Sequence, residues 1–107
     1  MKIDNIKNFT EGWFIGNFEP SILKTNLFEV CYKKHYKDEQ WPIHYHKIAT
    51  EINYLIKGSM IIQGKQFQQG DIFTIYPNEI ADPTFLEDCD LIVVKIPSIQ
   101  GDKYNIE

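Results

Sequence analysis

Short apolar segments separated by turn residues recur about every ten residues along this chain. The run LIVVKIP at 91–97 is the most strand-like of them, and a glycine followed by a polar residue marks turns at 58–59, 64–65 and 70–71. We count about eight or more such segments, and almost none shows the period of a helix. The pattern predicts an all-β sandwich that curls into a small barrel.

Length and composition predict a single domain over 1–107. Hydrophobic residues make up 43% of the 107 residues and charged residues 24%, which is ordinary for a folded domain with a modest core. The net charge of -4 offers no basic surface for nucleic acid or for an anionic membrane, so neither partner is expected. Neither a signal-like segment nor a spanning segment is visible, which predicts a cytoplasmic protein.

One segment alternates cleanly between two faces. In LFEVCYKK at 27–34, one face of an extended strand would carry Phe28, Val30 and Tyr32, and the other would carry Glu29, Cys31 and Lys33. This alternation predicts a half-buried strand.

The segment HYHKIATEINYLIKG at 44–58 holds the strongest functional signal in the chain. In an extended strand His44 and His46 project from the same face, and Glu51 is placed to return to that face from the next segment. Two imidazoles and a carboxylate can form most of a metal site, and they can equally hold or protonate a small polar ligand. The segment therefore predicts a site without specifying its reaction.

This segment resembles the first motif of the cupins, which runs glycine, five residues, HxH, three or four residues, glutamate, six residues, glycine. The residues that match are His44, His46, Glu51 and Gly58, while Asp38 stands where the opening glycine would be. The resemblance covers roughly 27–97. It implies the cupin fold, a jelly-roll barrel or double-stranded β-helix, which agrees with the strand pattern.

The second cupin motif runs glycine, five residues, PxG, two residues, HxxxN, and the chain resembles it only in part. Gly70 and Pro77 match the first glycine and the proline of the motif, with one extra residue between them. The second glycine, the histidine and the asparagine are then replaced by Glu79, Asp82 and Leu86. On this alignment Asp82 occupies the position of the fourth metal ligand.

In cupins with a complete ligand set, three histidines and a glutamate bind a divalent metal ion such as manganese, iron, zinc or nickel. By position, the resemblance implies His44, His46 and Glu51 as ligands, with Asp82 in the fourth place. A carboxylate there would favour harder ions such as manganese or iron(II). Alternatively, metal binding has been lost, Asp82 is a turn residue before a proline, and the histidines serve as acid, base or hydrogen-bond donors.

Five further residues have a place in these predictions. Period two along the strand puts Asn53 on the face of the site. Lys95 interrupts an apolar run, so its ammonium group either reaches solvent or provides a cation for an anionic substrate. Trp13 and Trp41 would line the mouth of the barrel or a dimer interface. His35 has no partner in either motif and is expected at the surface.

The resemblance favours a metal-binding cupin enzyme that acts on a small polar compound such as a carbohydrate derivative, by isomerase or epimerase chemistry. In that chemistry the metal polarises a carbonyl while Glu51, Asp82 or His46 moves the proton. The alternatives are a metal-dependent oxygenase, a non-catalytic module that holds a small molecule or metal, and a metal-free sugar ketoisomerase or epimerase with His44 or His46 as base. Exposed sheet edges and apolar strand faces also predict a homodimer.

Overall fold

A computed structural model describes residues 1–106, which contain ten β-strands and two short 3-10 helices. The helices are Ile6–Asn8 and Thr10–Gly12. The strands in chain order are β1 (Trp13–Ile15), β2 (Glu29–His35), β3 (His44–His46), β4 (Thr50–Lys57), β5 (Ser59–Ile62), β6 (Lys65–Gln68), β7 (Ile72–Ile75), β8 (Thr84–Phe85), β9 (Cys89–Ile96) and β10 (Lys103–Asn105). The predicted all-β class is confirmed. Over residues 1–106, neither helix is long and apolar enough to cross a membrane.

Antiparallel pairing arranges the strands in three sheets. The largest has five strands in the order β1-β2-β9-β4-β7, a second has the order β6-β5-β8, and β10 pairs with β3. Both larger sheets contribute buried side chains to one core, which contains Cys31, Leu55, Met60, Ile62, Phe73, Ile75, Ala81, Phe85, Cys89, Leu91 and Val93. Because neighbouring strands come from distant parts of the chain, their register decides which side chains meet.

The register of the five-stranded sheet places three charged residues in one row. Glu29 of β2 lies opposite Lys95 of β9, and Lys95 lies opposite Glu51 of β4. Side chains directly opposite each other on antiparallel strands share a face of the sheet. Two carboxylates therefore flank one lysine on the face that carries Glu51.

Strand β2 is half-buried, as predicted, and the more buried face is the one that carries its polar residues. Glu29, Cys31 and His35 are buried, whereas Val30 and Tyr32 on the opposite face are half-buried. The buried face borders a cavity as well as the core. Its polar side chains have hydrogen-bond partners nearby, Glu39 for His35 and Ser98 for Glu29.

Backbone conformation explains two positions of the first motif. Gly58 has a φ of 100°, which favours glycine, and a Cβ at this position would lie only 2.4 Å from the backbone oxygen of Asp88. Asp38, where the motif has its opening glycine, has a φ of 62°. Aspartate is one of the few residues besides glycine that adopt the left-handed region readily. The chain therefore keeps the backbone of the motif at position 38 with a different residue.

Candidate active site

A cavity of about 290 Å³ is bordered by both larger sheets and by β3 and β10. His44, His46 and Glu51 all line it. Asn53 lines it too, on the face that period-two alternation predicts. The volume is at the lower end of the range for small-molecule sites, so the cavity suits a compact ligand.

The two histidines of β3 are held by their Nδ1 atoms. Nδ1 of His44 donates to the backbone oxygen of Pro42 at 3.0 Å, and Nδ1 of His46 donates to that of Asp102 at 2.9 Å. A carbonyl oxygen only accepts, so each Nδ1 carries a proton, and in the neutral ring Nε2 is then the unprotonated nitrogen. The two rings are perpendicular, with centroids 5.5 Å apart.

Burial sets the charge state of this pair. It lowers the pKa of His44 below the ordinary histidine value, because the charged form is poorly solvated there. Burial and the nearby ammonium group of Lys95 lower the pKa of His46 in the same direction. Both imidazoles are therefore neutral near pH 7, a state in which Nε2 can accept a proton or bind a metal.

Glu51 has an amide neighbour on its own strand and a cation on the adjacent strand. Nδ2 of Asn53 donates to Oε2 of Glu51 at 3.4 Å, and Lys95 occupies the opposite position on β9. Lys95 lines the cavity, with its Nζ 5.1 Å from the centroid of the Trp13 ring. Of the two alternatives for this lysine, the structure supports the one in which it faces the cavity.

Asp82 does not share the cavity with these residues, and its assignment as the fourth ligand is corrected. Among the described residues, Ala81 and Pro83 line the cavity and Asp82 does not. The carboxylate of Asp82 accepts instead from the backbone N–H of Gln63 at 2.8 Å. The turn that this side chain caps is the one at Gln63, nineteen residues earlier in the chain, and not a turn of its own loop.

The backbone conformation explains why Asp82 lies outside the cavity. The left-handed residue of the second motif is Asn78, with a φ of 71°, and it lies where an alignment from Gly70 without an extra residue puts the second glycine. Three residues further on, that alignment reaches Ala81 at the histidine position. Ala81 exchanges two backbone hydrogen bonds with His44, of 2.8 and 3.1 Å, so its side chain lies beside that histidine. The fourth position is therefore filled by a methyl group.

The donor set fits a metal ion only in part. Backbone carbonyls that hold Nδ1–H and leave Nε2 free are the usual support for histidine ligands. Over residues 1–106, however, no group of three or more His, Cys, Asp or Glu side chains is arranged to hold a metal. Lys95 and Lys103 also line the cavity, and their positive charges oppose a divalent cation. Metal binding at His44, His46 and Glu51 accordingly stays a prediction.

His35 was expected at the surface, and this prediction is wrong. Only 9% of its surface is exposed, and it lines the cavity with its ring stacked on Phe85 at 4.3 Å between centroids. Nδ1 of His35 and Nε1 of Trp41 both bond to the carboxylate of Glu39. Burial alone would raise the pKa of Glu39, but the hydrogen bonds from His35 and Trp41 outweigh it and lower this pKa. Glu39 lies four residues after His35, but that spacing indicates a contact only on a helix, and His35 ends a strand.

The C-terminal segment supplies two residues that the motifs do not mark. Lys103 begins β10, which pairs with β3, and it lines the cavity at an exposed rim. Only 6% of the surface of Asp102 is exposed, and its backbone oxygen orients the ring of His46. Nothing local in QGDKYN indicates that it returns to the HxH strand, because that contact is made by tertiary packing.

No protein-family model and no curated protein matches the sequence. Among solved structures, an uncharacterised protein with a double-stranded β-helix domain from Klebsiella pneumoniae superposes with a TM-score of 0.71 at 17% identity, over 99% of this chain and 92% of that chain. KdgF from Halomonas sp. has a TM-score of 0.61 at 20% identity, over 68% of this chain and 72% of that chain. The DMSP lyase DddQ from Ruegeria pomeroyi has a TM-score of 0.66 at 15% identity, over 87% and 49%.

At these identities the similarities establish the fold. The chain has the double-stranded β-helix, the jelly-roll fold of the cupins. The resemblance that the first motif carries is thereby confirmed at the level of architecture. The reaction has to be argued from the cavity itself.

Proposed function

We propose that this protein is a cupin enzyme that acts on a small polar compound, such as a carbohydrate derivative, by moving a proton as an isomerase or epimerase does. The observation that carries the proposal is the histidine pair. His44 and His46 line one cavity, and each has its Nδ1–H bound to a backbone carbonyl and its Nε2 free. A neutral imidazole fixed in one tautomer is suited to general base catalysis.

His46 is the preferred base because it is the more buried of the two and is held from the C-terminal segment. Its Nε2 takes a proton from the carbon next to a carbonyl, and the electron pair of that C–H bond moves to the carbonyl oxygen. The ammonium group of Lys95 stabilises the resulting enediolate. The imidazolium of His46 then returns its proton to the neighbouring carbon on the same face, while Glu51 moves the hydroxyl proton from one oxygen of the enediolate to the other. These reaction steps involve no net oxidation or reduction and need no co-reactant.

Exchange of carbon-bound hydrogen with solvent tests the proposal. Proton NMR in deuterium oxide would follow a panel of aldoses, ketoses and their acids with the parent, His46→Gln and His44→Gln. Tyr45→Phe is the matched control, because Tyr45 lies between the two histidines and stacks on Tyr104. We expect exchange with the parent and the control, and a loss of at least about 100-fold in His46→Gln.

Equal exchange in the parent and in both histidine variants would overturn the proposal. A panel compound that occupies the cavity without exchange would favour the alternative of a non-catalytic binding module. Because the two histidines also have the support that metal ligands require, metal binding is the second candidate. Elemental analysis of the purified protein tests that candidate directly.

We also propose that the protein forms a homodimer. β7 is an edge strand of the five-stranded sheet, and Ile72 on it is 66% exposed. Tyr54, its partner on β4, is 43% exposed, so an apolar face continues inward from the edge. Light scattering should give twice the chain mass of 12.6 kDa. Ile72→Glu should shift the mass to that of one chain, and a single-chain mass for the parent would contradict the proposal.

A further inference from the structure

We propose that the ligand is an anion, and that its carboxylate or phosphate group binds between the ammonium groups of Lys95 and Lys103. This inference rests on the proposed function only in using the same cavity. It names the chemical class of the ligand, which the histidine pair leaves open.

Lys95 and Lys103 bring positive charge to the cavity without a carboxylate partner. Both residues line it, Lys95 half-buried and Lys103 at the exposed rim. Over residues 1–106 neither ammonium group has a carboxylate oxygen within 4.0 Å, although Glu51 and Glu29 flank Lys95 in the sheet. Two unpaired cations that face one small cavity attract an anion.

Each of these lysines rests against a tryptophan ring. Nζ of Lys95 is 5.1 Å from the ring centroid of Trp13, and Nζ of Lys103 is 4.8 Å from that of Trp41. Such contacts stabilise a cation weakly at exposed sites, and they leave its N–H groups available to a ligand. Burial and the charge of Lys95 lower the pKa of Lys103, as expected for two like charges that share a site.

The remaining charges of the cavity do not cancel this pair. Lys33 and Glu11 form an ion pair of 3.8 Å with each other. Glu29 is turned toward Ser98, whose Oγ donates to its carboxylate at 3.0 Å, and burial raises its pKa. Two carboxylates line the main cavity, and one of them, Glu11, is paired with Lys33. As far as residues 1–106 show, Glu51 is left against the two unpaired lysines.

A second cavity of about 170 Å³ adjoins the first. It is bordered by Lys95, Lys103 and His46, which border the first cavity as well. An oxyanion held by the two lysines would thus lie beside the proposed base. This placement would orient the rest of a compact ligand toward Nε2 of His46.

Tryptophan fluorescence provides a direct measurement. The chain has two tryptophans, and both line the cavity beneath the lysines in question. We would titrate the full chain with inorganic phosphate, D-glucuronate, D-glucose 6-phosphate and D-glucose. D-glucose lacks the anionic group of the two sugar derivatives and is the neutral control among the ligands.

The matched variants are Lys95→Gln, Lys103→Gln, Lys103→Arg and Lys47→Gln. Lys47 is an exposed lysine 4.3 Å from the Tyr104 ring and is absent from the lining of both cavities. We expect at least one anionic sugar to bind about tenfold more tightly than D-glucose, and each glutamine substitution at Lys95 or Lys103 to remove about that factor. Lys103→Arg and Lys47→Gln should bind as the parent does.

The choice of probes and variants distinguishes the possible ligands. Preference for D-glucuronate identifies a carboxylate ligand and preference for D-glucose 6-phosphate a phosphate ligand. Equal binding of D-glucose, no saturable response to any probe, or unchanged affinity in Lys103→Gln would overturn the inference. Lys103 is exposed, so its variant should fold even if Lys95→Gln does not. Anion binding without hydrogen exchange would contradict the proposed function alone, and exchange without anion preference would contradict this inference alone.

Discussion

Asp102 contacts His46 and the three residues that follow it. Its backbone oxygen accepts from Nδ1 of His46 at 2.9 Å, while its carboxylate accepts from the backbone N–H groups of Lys47, Ile48 and Ala49 at 2.9 to 3.2 Å. A residue 56 positions away in sequence thus holds both the ring and the turn after it. The segment before β10 is therefore part of the site.

Replacing this carboxylate should loosen the turn after β3. Asp102→Asn removes the charge that accepts three amide protons, and charged hydrogen bonds are worth more than neutral ones. We expect a loss of about 1–3 kcal/mol in the free energy of unfolding, measured by urea denaturation. Asp71→Asn is the control, since Asp71 accepts one amide proton in an exposed turn. Equal losses in the two variants would show that the buried cap has no special role.

The closing glycine of the first motif should be irreplaceable for a steric reason. A Cβ at Gly58 would lie 2.4 Å from the Asp88 oxygen, whereas a Cβ at Gly64 would meet nothing within 4 Å, although both residues have a positive φ. Gly64→Ala should cost about 1–2 kcal/mol for its backbone alone. Gly58→Ala should cost about 1–3 kcal/mol more because of the contact. Thermal and urea unfolding of both variants would measure the two losses in stability. Similar losses in the free energy of unfolding would contradict this explanation.

Glu29 should make stability depend on pH in the weakly acidic range. Burial raises its pKa above the ordinary value of 4.5, and the opposing effects of Lys95 and Ser98 are smaller. The folded state then binds the proton more tightly than the unfolded state, so the stabilisation is present below about pH 4.5 and is lost as pH rises through the folded pKa. Glu29→Gln cannot lose that proton. Its free energy of unfolding relative to the parent should therefore increase as pH rises from 4.5 toward neutrality, and a constant difference would contradict the prediction.

The fourth position of the second motif should be open to restoration. Ala81 lies beside His44 and lines the cavity, so Ala81→His would place a third imidazole there. We expect the affinity for Zn²⁺, measured by calorimetry, to rise at least about tenfold. Asp82→Ala should leave the affinity of the parent unchanged, because its carboxylate caps Gln63 outside the cavity. A loss of affinity in Asp82→Ala would restore this residue to the ligand set.

The local pattern of the chain was enough to predict the strands and one part of the site. Period-two alternation puts His44 and His46 on one face because successive side chains of any strand point to opposite sides. The turn glycines mark where strands end, and the spacing of HxH, glutamate and glycine identified Glu51 as a neighbour. These features depend on a few consecutive residues, so they can be recognised without knowledge of the partner strands.

The tertiary structure decided the rest. The register of β2, β9 and β4 brings Glu29 and Lys95 to Glu51, and packing of β10 on β3 brings Lys103 and Asp102 to His46. The left-handed backbone at Asn78 aligns Ala81, and not Asp82, with the fourth ligand position of the second motif. Each of these relationships joins residues through hydrogen bonds between distant strands or through one backbone angle. The period of the hydrophobic residues and the residue types specify neither the pairing of distant strands nor a single backbone angle.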